Sequence, residues 1–131
     1  MVPLSFREIT SRLKQLDLPD VDVVIGIGSG GVVPAGMVAF HLDAELHVMV
    51  LNYRDEQNNP RYDEPMLLLM PEWDLKDKRI LLVDDVSVSG KTMNAALKLL
   101  NGYSVKTLAM KGKADFVLFP EITDCVKWPW K

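Results

Sequence analysis

Arg79-Ile80-Leu81-Leu82-Val83-Asp84-Asp85-Val86-Ser87-Val88-Ser89-Gly90-Lys91-Thr92 decides how this chain is read. Residues 79–83 lack polar alternation after Arg79, the pattern of a strand buried on both faces of a parallel sheet. Asp84 and Asp85 stand at its C-terminal end. A loop of small and hydroxylated residues follows, and then a helix is predicted over 90–100. In open α/β sheets, ligands bind beyond such strand ends. The start of a helix offers unpaired N–H groups that suit an anion. Ser89, Lys91 and Thr92 add donors, and Gly90 lets the backbone approach a phosphate closely. The stretch therefore has two poles. Carboxylates at one accept hydrogen bonds from vicinal hydroxyls, while amides at the other grip a phosphate. A ribose 5-phosphate has that distribution of donors and charge. The plainer alternative is a strand, a turn and a capped helix with surface acids.

Two rival motifs compete. Gly90-Lys91-Thr92 matches the end of G-x-x-x-x-G-K-[ST], but the first glycine of that motif would fall on Asp85. A carboxylate there would repel the phosphate chain, which argues against a nucleoside triphosphatase. Upstream, Gly26, Gly28 and Gly31 in Val24-Ile25-Gly26-Ile27-Gly28-Ser29-Gly30-Gly31 fit G-x-G-x-x-G. That pattern suggests a dinucleotide site and hence a dinucleotide-dependent oxidoreductase. Its expected acid would end the next strand, near 51–53, and none stands there.

The remaining chain reads as alternating strands and helices, which argues for an α/β fold with a largely parallel sheet. Ser5 to Glu8 is a capping box, with Phe6, Ile9, Leu13 and Leu16 at helical spacing after it and an end expected at Leu18-Pro19-Asp20. Strands are predicted over 21–27, 46–51, 65–70 and 105–111, and short extended pieces over 116–119 and 126–130. A helix is predicted over 32–42 with Val33, Met37 and Phe40 inward and Pro34 in its first turn. A turn is expected over 73–78. Met66, Met70 and Met110 read as core residues, and His41 and His47 as structural. Residues 52–64 are polar and form the longest loop-like stretch, a length often associated with function.

Composition sets the outer bounds. The 131 residues suit one domain, 48% of them apolar and 25% charged, as in an ordinary globular protein. Acidic residues outnumber basic ones 18 to 15, so no broad attraction to nucleic acid is expected. Cys125 is the lone cysteine, which excludes an intrachain disulfide. No signal-peptide core and no membrane-length apolar run is seen, and a cytoplasmic protein is the expectation.

Residues 83–92 resemble the phosphoribosyl pyrophosphate-binding motif of type I phosphoribosyltransferases. More narrowly, residues 5–130 are similar to the xanthine–guanine and hypoxanthine phosphoribosyltransferases of bacteria and archaea. The resemblance implies a single domain over 1–131, with a mainly parallel central sheet flanked by helices and a small hood. It implies that Asp84 and Asp85 act in catalysis, contacting the ribose 2- and 3-hydroxyls directly or through Mg²⁺. Val88, Ser89, Gly90, Lys91 and Thr92 would bind the 5-phosphate. Gly28, Ser29, Gly30 and Gly31 would form the pyrophosphate loop, where an unusual cis peptide is common in the family. The 52–64 stretch would be the hood that closes and excludes water, with Tyr53, Arg54 and Asp55 foremost. Lys111 would donate to the O6 of a 6-oxopurine, and Cys125 and Val126 would line the base pocket. The resemblance also implies Mg²⁺ as cofactor, a nitrogen base or nucleoside monophosphate as second ligand, and a homodimer or higher homo-oligomer.

Three positions depart from the family pattern. Ser29 stands where a cation usually precedes the paired glycines, leaving Mg²⁺, Arg54 or Arg61 to balance the pyrophosphate. Val88 replaces an acid that handles the purine N7 proton, and Cys125 replaces a stacking ring. Trp128 and Trp130, in a Lys-Trp-Pro-Trp ending that resembles the family's, are candidates for the base pocket, though core or dimer packing is expected for Trp130. Two functions follow as expectations. The first is a purine-salvage phosphoribosyltransferase. The alternative is a nucleotide- or phosphoribosyl pyrophosphate-binding regulatory protein with weak or no turnover.

Overall fold

In a computed structural model, which describes residues 1–52, 66–69 and 74–131, eight strands and three helices follow one another. They are β1 (Val2–Pro3), α1 (Phe6–Gln15), β2 (Val23–Gly28), α2 (Val32–Leu42), β3 (Glu45–Asn52), β4 (Met66–Leu69), β5 (Arg79–Ser87), α3 (Lys91–Leu99), β6 (Ser104–Gly112), β7 (Phe116–Val117) and β8 (Val126–Lys127). The central sheet has the order β4-β3-β2-β5-β6-β7. Every pairing in it is parallel except β3 with β4. A second, two-stranded sheet joins β1 to β8 in parallel. The chain is thus an α/β protein with a mainly parallel sheet flanked by helices.

β2 and β5 lie at the centre because both are apolar on both faces. All six residues of β2 are buried. Along β5 the side chains alternate between two cores. Leu81 and Val83 join Ile9 and Leu13 of α1 and Ala35 and Val38 of α2. Ile80 and Leu82 join Met93 and Ala96 of α3. Each fully buried Leu or Ile contributes about 1.5–3 kcal/mol. That is ample to hold the strands that carry the polar residues at their ends.

Local signals act largely as expected. Ser5 caps α1, accepting from the Glu8 N–H at 3.1 Å while Glu8 accepts from the Ser5 N–H at 3.2 Å. The helix stops at Gln15, before Leu18-Pro19. Leu16 turns extended (φ −85°, ψ 128°) and, with Leu18, packs against the core, so tertiary contacts outweigh helix continuation. In α2 the inward residues are Pro34, Ala35, Val38 and Ala39. Val33 and Met37 are only half-buried, and Phe40 is 90% exposed. Small residues face the sheet because the approach is close, with Ala35 Cβ 2.6 Å from where a Gly26 Cβ would stand. Of the methionines read as core, Met110 is fully buried. The side chains of Met66 and Met70, and residues 53–64 of the stretch expected to form a hood, with Tyr53, Arg54, Asp55 and Arg61, lie outside the described residues.

One boundary moves the site. β5 runs on to Ser87 rather than stopping at Val83. It does so because β6 stays in register with it, pairing Asp84 with Ala109, Val86 with Lys111 and Ser87 with Gly112. The two acids therefore sit inside the strand, on the stretch that continues along β6 after the β2 pairing ends at Val83. Gly112 permits the last of these pairings. Its φ is 108°, and a side chain there would run into the Ser87 carbonyl.

Candidate functional site

The chain leaves β2 through α2 to reach β3 on one side, and leaves β5 through α3 to reach β6 on the other. The two connections diverge between neighbouring strands and open a crevice at the carboxyl ends of β2 and β5. Open α/β sheets bind ligands at such a switch point.

Asp84 and Asp85 line this crevice, each only 7% exposed. Strand alternation turns them to opposite faces, Asp84 toward the side of α3 and Asp85 toward the side of α2. The Asp85 N–H donates to Asp84 Oδ1 and the Val86 N–H to Asp85 Oδ1, both at 2.8 Å. These bonds orient the carboxylates, each leaving its second oxygen for other partners. Burial pushes the Asp84 carboxyl well above the usual carboxylate range, and the charge and hydrogen bonding of Asp85 push it further. A buried acid pair of this kind calls for cationic or hydroxyl partners.

Two loops flank the acids. On the α3 side, Gly90 adopts φ 81° as the N-cap of α3, and Ser89 Oγ accepts from the Lys91 N–H at 3.3 Å. The first-turn amides of α3 then point out of the helix start, as any helix leaves them. Val88 is 71% exposed at the tip of this loop. On the α2 side, the Gly28–Ser29 peptide bond is cis. The Gly31 N–H donates to the Ile27 carbonyl at 2.8 Å, closing the turn. Gly30 backs onto Asp85, whose Oδ2 lies 2.6 Å from the place of a Gly30 Cβ. Gly31 backs onto the β5 backbone itself. The acids thus sit between two amide-rich turns.

β6 delivers the third group. Lys111 pairs with Val86 across the sheet, and its Nζ donates to the Asp124 carbonyl at 2.6 Å. This contact draws the segment bearing exposed Cys125 and half-buried Val126 to the end of β6. Trp128 is buried in the core and stacks on Trp130 at 5.1 Å and 10°. Lys131 follows, and its Nζ lies 3.0 Å from Asp85 Oδ2.

The phosphoribosyl transferase domain model matches residues 3–111. The chain belongs to this family. Three curated relatives are an orotate phosphoribosyltransferase from Saccharolobus solfataricus, the bifunctional protein PyrR from Ligilactobacillus salivarius, and the transcriptional regulator GfcR from Methanocella arvoryzae. The first is 32% identical over 68% of this chain and 41% of its own length. The second is 34% identical over 71% of this chain and 56% of its own. The third is 27% identical over 75% and 47%. The chain spans about half the length of these relatives. Among solved structures, a purine phosphoribosyltransferase from Pyrococcus horikoshii superposes with a TM-score of 0.80 and 26% identity, over 99% of this chain and 93% of that one. A Helicobacter pylori xanthine-guanine-hypoxanthine phosphoribosyltransferase shares the fold, with a TM-score of 0.79 at 17% identity over 98% and 92%.

In this phosphoribosyl transferase domain the described residues singled out from sequence gather at the carboxyl ends of the parallel strands. Asp84 and Asp85, the 88–92 turn, the 28–31 turn and Lys111 all stand at the same edge of the sheet. Trp128 and Trp130 pack on the core rather than opening as a pocket wall. Lys131 was not singled out. It lies 46 residues from Asp85 in sequence and belongs to no motif, so only the fold brings the two together. Among the described residues no group of three or more His, Cys, Asp or Glu side chains gathers to hold a metal. Among them, too, no helix is long and apolar enough to cross a membrane.

Proposed function

We propose that the chain transfers a phosphoribosyl group from phosphoribosyl pyrophosphate to a nitrogen base. One observation carries the reading. A buried acid pair sits at the β2/β5 switch point, with one glycine turn packed against Asp85 and a helix-start turn following Ser87. The pair suits the ribose hydroxyls, the 88–92 turn the 5-phosphate and the 28–31 turn the leaving pyrophosphate. Asp84 and Asp85 also fit Mg²⁺. That ion keeps several waters and takes one or two carboxylates along with substrate phosphates, so it does not need a larger protein cage. Bound there, it would neutralise charge on the departing pyrophosphate. The protein's own part is to orient the ribose, hold both phosphate ends and keep the acceptor nitrogen over the anomeric carbon.

For the acceptor, a 6-oxopurine is supported by Lys111, whose ammonium donates to a carbonyl and offers nothing to an amino group. The Pyrococcus horikoshii neighbour is a purine phosphoribosyltransferase, which supports a purine acceptor without choosing among purines. The test is incubation with Mg²⁺, phosphoribosyl pyrophosphate and, in turn, guanine, xanthine, hypoxanthine, adenine, uracil and orotate, with pyrophosphate release as readout. Release with a 6-oxopurine is expected, and no release with any base would overturn the enzyme reading.

A second reading is favoured by Val88 and Cys125. Both are exposed; a valine cannot move a proton to a purine nitrogen, and a cysteine offers no aromatic ring to stack on the base. It is a domain that binds phosphoribosyl pyrophosphate or a nucleoside monophosphate in a regulatory role, as the name of the Methanocella arvoryzae relative suggests. Calorimetry showing tight binding of either ligand without turnover would select it.

A further inference from the structure

The 28–31 turn has no cationic side chain of its own, yet the reading above places a highly charged pyrophosphate against it. Lys131 stands beside that turn. Its Nζ lies 3.0 Å from Asp85 Oδ2, the same oxygen that lies 2.6 Å from the Gly30 Cβ position. The ammonium and the turn therefore both neighbour one carboxylate oxygen.

The segment carrying Lys131 is anchored. β8 pairs with β1, and the Val2 N–H donates to the Cys125 carbonyl at 2.8 Å. Trp128 is buried and stacks on Trp130, which packs in turn near Phe6 at 6.3 Å. The Lys131 N–H donates to the Trp128 carbonyl at 3.3 Å and closes the final turn. The Lys131 side chain itself remains 59% exposed, against 10% for that of Asp85. It has a fixed base and a movable tip, and a lysine tip can pivot a few ångströms about its four-carbon stem.

We infer that Lys131 is a ligand-binding residue for the pyrophosphate end of the substrate, supplying from the β8 side the cation that the glycine turn lacks. Without ligand it neutralises Asp85. With ligand it bridges Asp85 and a pyrophosphate oxygen. The inference rests on the phosphoribosyl pyrophosphate reading and deepens it, because it assigns the charge balance of the leaving group to one residue of this chain.

Calorimetry in Mg²⁺ with phosphoribosyl pyrophosphate and, separately, ribose 5-phosphate tests it on the parent chain, Lys131→Met and Lys131→Arg. A lost charge-assisted contact should weaken phosphoribosyl pyrophosphate binding by about 10- to 100-fold in Lys131→Met. Ribose 5-phosphate affinity should stay within about twofold, and Lys131→Arg should recover most of the loss because guanidinium also pairs with phosphate oxygens. Unchanged phosphoribosyl pyrophosphate affinity in Lys131→Met overturns the inference, as does an equal loss for both ligands. Tighter binding in Lys131→Met also overturns it, marking the lysine as a plug. If the parent chain binds neither ligand, the underlying functional reading fails instead, and the two failures are told apart.

Discussion

Gly31 backs directly onto the strand that carries the acids: a Cβ on it would stand 2.7 Å from the Val83 carbonyl oxygen and 3.1 Å from Asp84 Cα. Both contacts are backbone, so neither can swing aside. Gly31→Ala must push the 28–31 turn away from β5. The expected cost is about 1–3 kcal/mol of stability, as for other overpacked sites. Phosphoribosyl pyrophosphate affinity should fall as well, because the turn and the acids lose their spacing. Gly36→Ala is the matched control. Its new methyl would meet only Leu46 Cδ2 at 4.0 Å inside α2. Helix propensity then predicts a gain of roughly 0.5–1 kcal/mol. Urea melts of the two variants should move in opposite directions, and a stable Gly31→Ala would show that the turn is not pinned as described.

Asp84 is expected to trade stability for function. Burial and the neighbouring Asp85 raise its carboxyl in the folded chain. A raised folded value means that its contribution to stability is fully present below the unfolded value and lost as pH rises through the folded one. Above the unfolded value the buried Asp84 carboxyl therefore costs stability when no ligand is bound. Asp84→Asn removes that charge with little change of shape. The ligand-free variant should match or exceed the parent in urea midpoint at pH 7.5, with a smaller advantage at pH 4. Ribose 5-phosphate affinity should drop by about 10- to 100-fold through loss of a charge-assisted contact. A variant less stable than the parent at every pH would contradict the electrostatic account.

Much of this arrangement is legible in the residues alone, and the exceptions have physical causes. The β5 strand and the turn after it announce themselves because apolar residues, paired acids and a small-residue loop occur in one uninterrupted run. The inward face of α2 does not. Val33, Met37 and Phe40 are as apolar as Pro34, Ala35, Val38 and Ala39, so periodicity cannot choose between the two sets. Only the closeness of Gly26 to Ala35 decides it. The extension of β5 through Ser87 depends on its partner, since Asp84 and Asp85 are poor strand formers until β6 pairs with them. Lys131 is invisible for a similar reason, because an ion pair spanning 46 residues leaves no local pattern.

Acid stability should depend on two ion pairs remote from the crevice. Asp22 is lowered to about 2 by hydrogen bonds from the Arg79 side chain and then from its backbone N–H. Glu121 is lowered to about 2, chiefly by hydrogen bonding to Arg12. Lowered folded values contribute stability above the unfolded values of 3.8 and 4.5, and that contribution disappears as pH falls toward 2. The sign is opposite to that of Asp84. The double variant Asp22→Asn, Glu121→Gln should therefore start with a lower urea midpoint at pH 6 and show a shallower loss between pH 5 and pH 2.5 than the parent. Parallel curves would mean that the exposed pairs are screened into irrelevance. Arg12→Ala should cost more than Glu121→Gln at pH 6. Arg12 also donates to the Leu118 carbonyl at 2.7 Å and lies 4.5 Å over the Phe119 ring.

Lys111 separates a base-recognising role from a tethering one. Its Nζ holds the Asp124 carbonyl at 2.6 Å and so fixes the segment that bears Cys125 and Val126. If this ammonium also donates to the O6 of a 6-oxopurine, Lys111→Met should lower kcat/KM for guanine or hypoxanthine by about 10- to 100-fold, the worth of one hydrogen bond to a charged donor. Affinity for phosphoribosyl pyrophosphate should hold, since the phosphate turns and acids are untouched. The loss should be smaller for adenine, which presents an amino group where the oxopurines present an acceptor. A tether alone predicts a different result: a lower Tm and proportional loss for every base, because the whole 124–126 segment loosens at once. The ratio of rates for hypoxanthine and adenine, compared between the parent and Lys111→Met, discriminates the two. An unchanged ratio would leave Lys111 as a structural clamp and remove the support it lends to a 6-oxopurine acceptor.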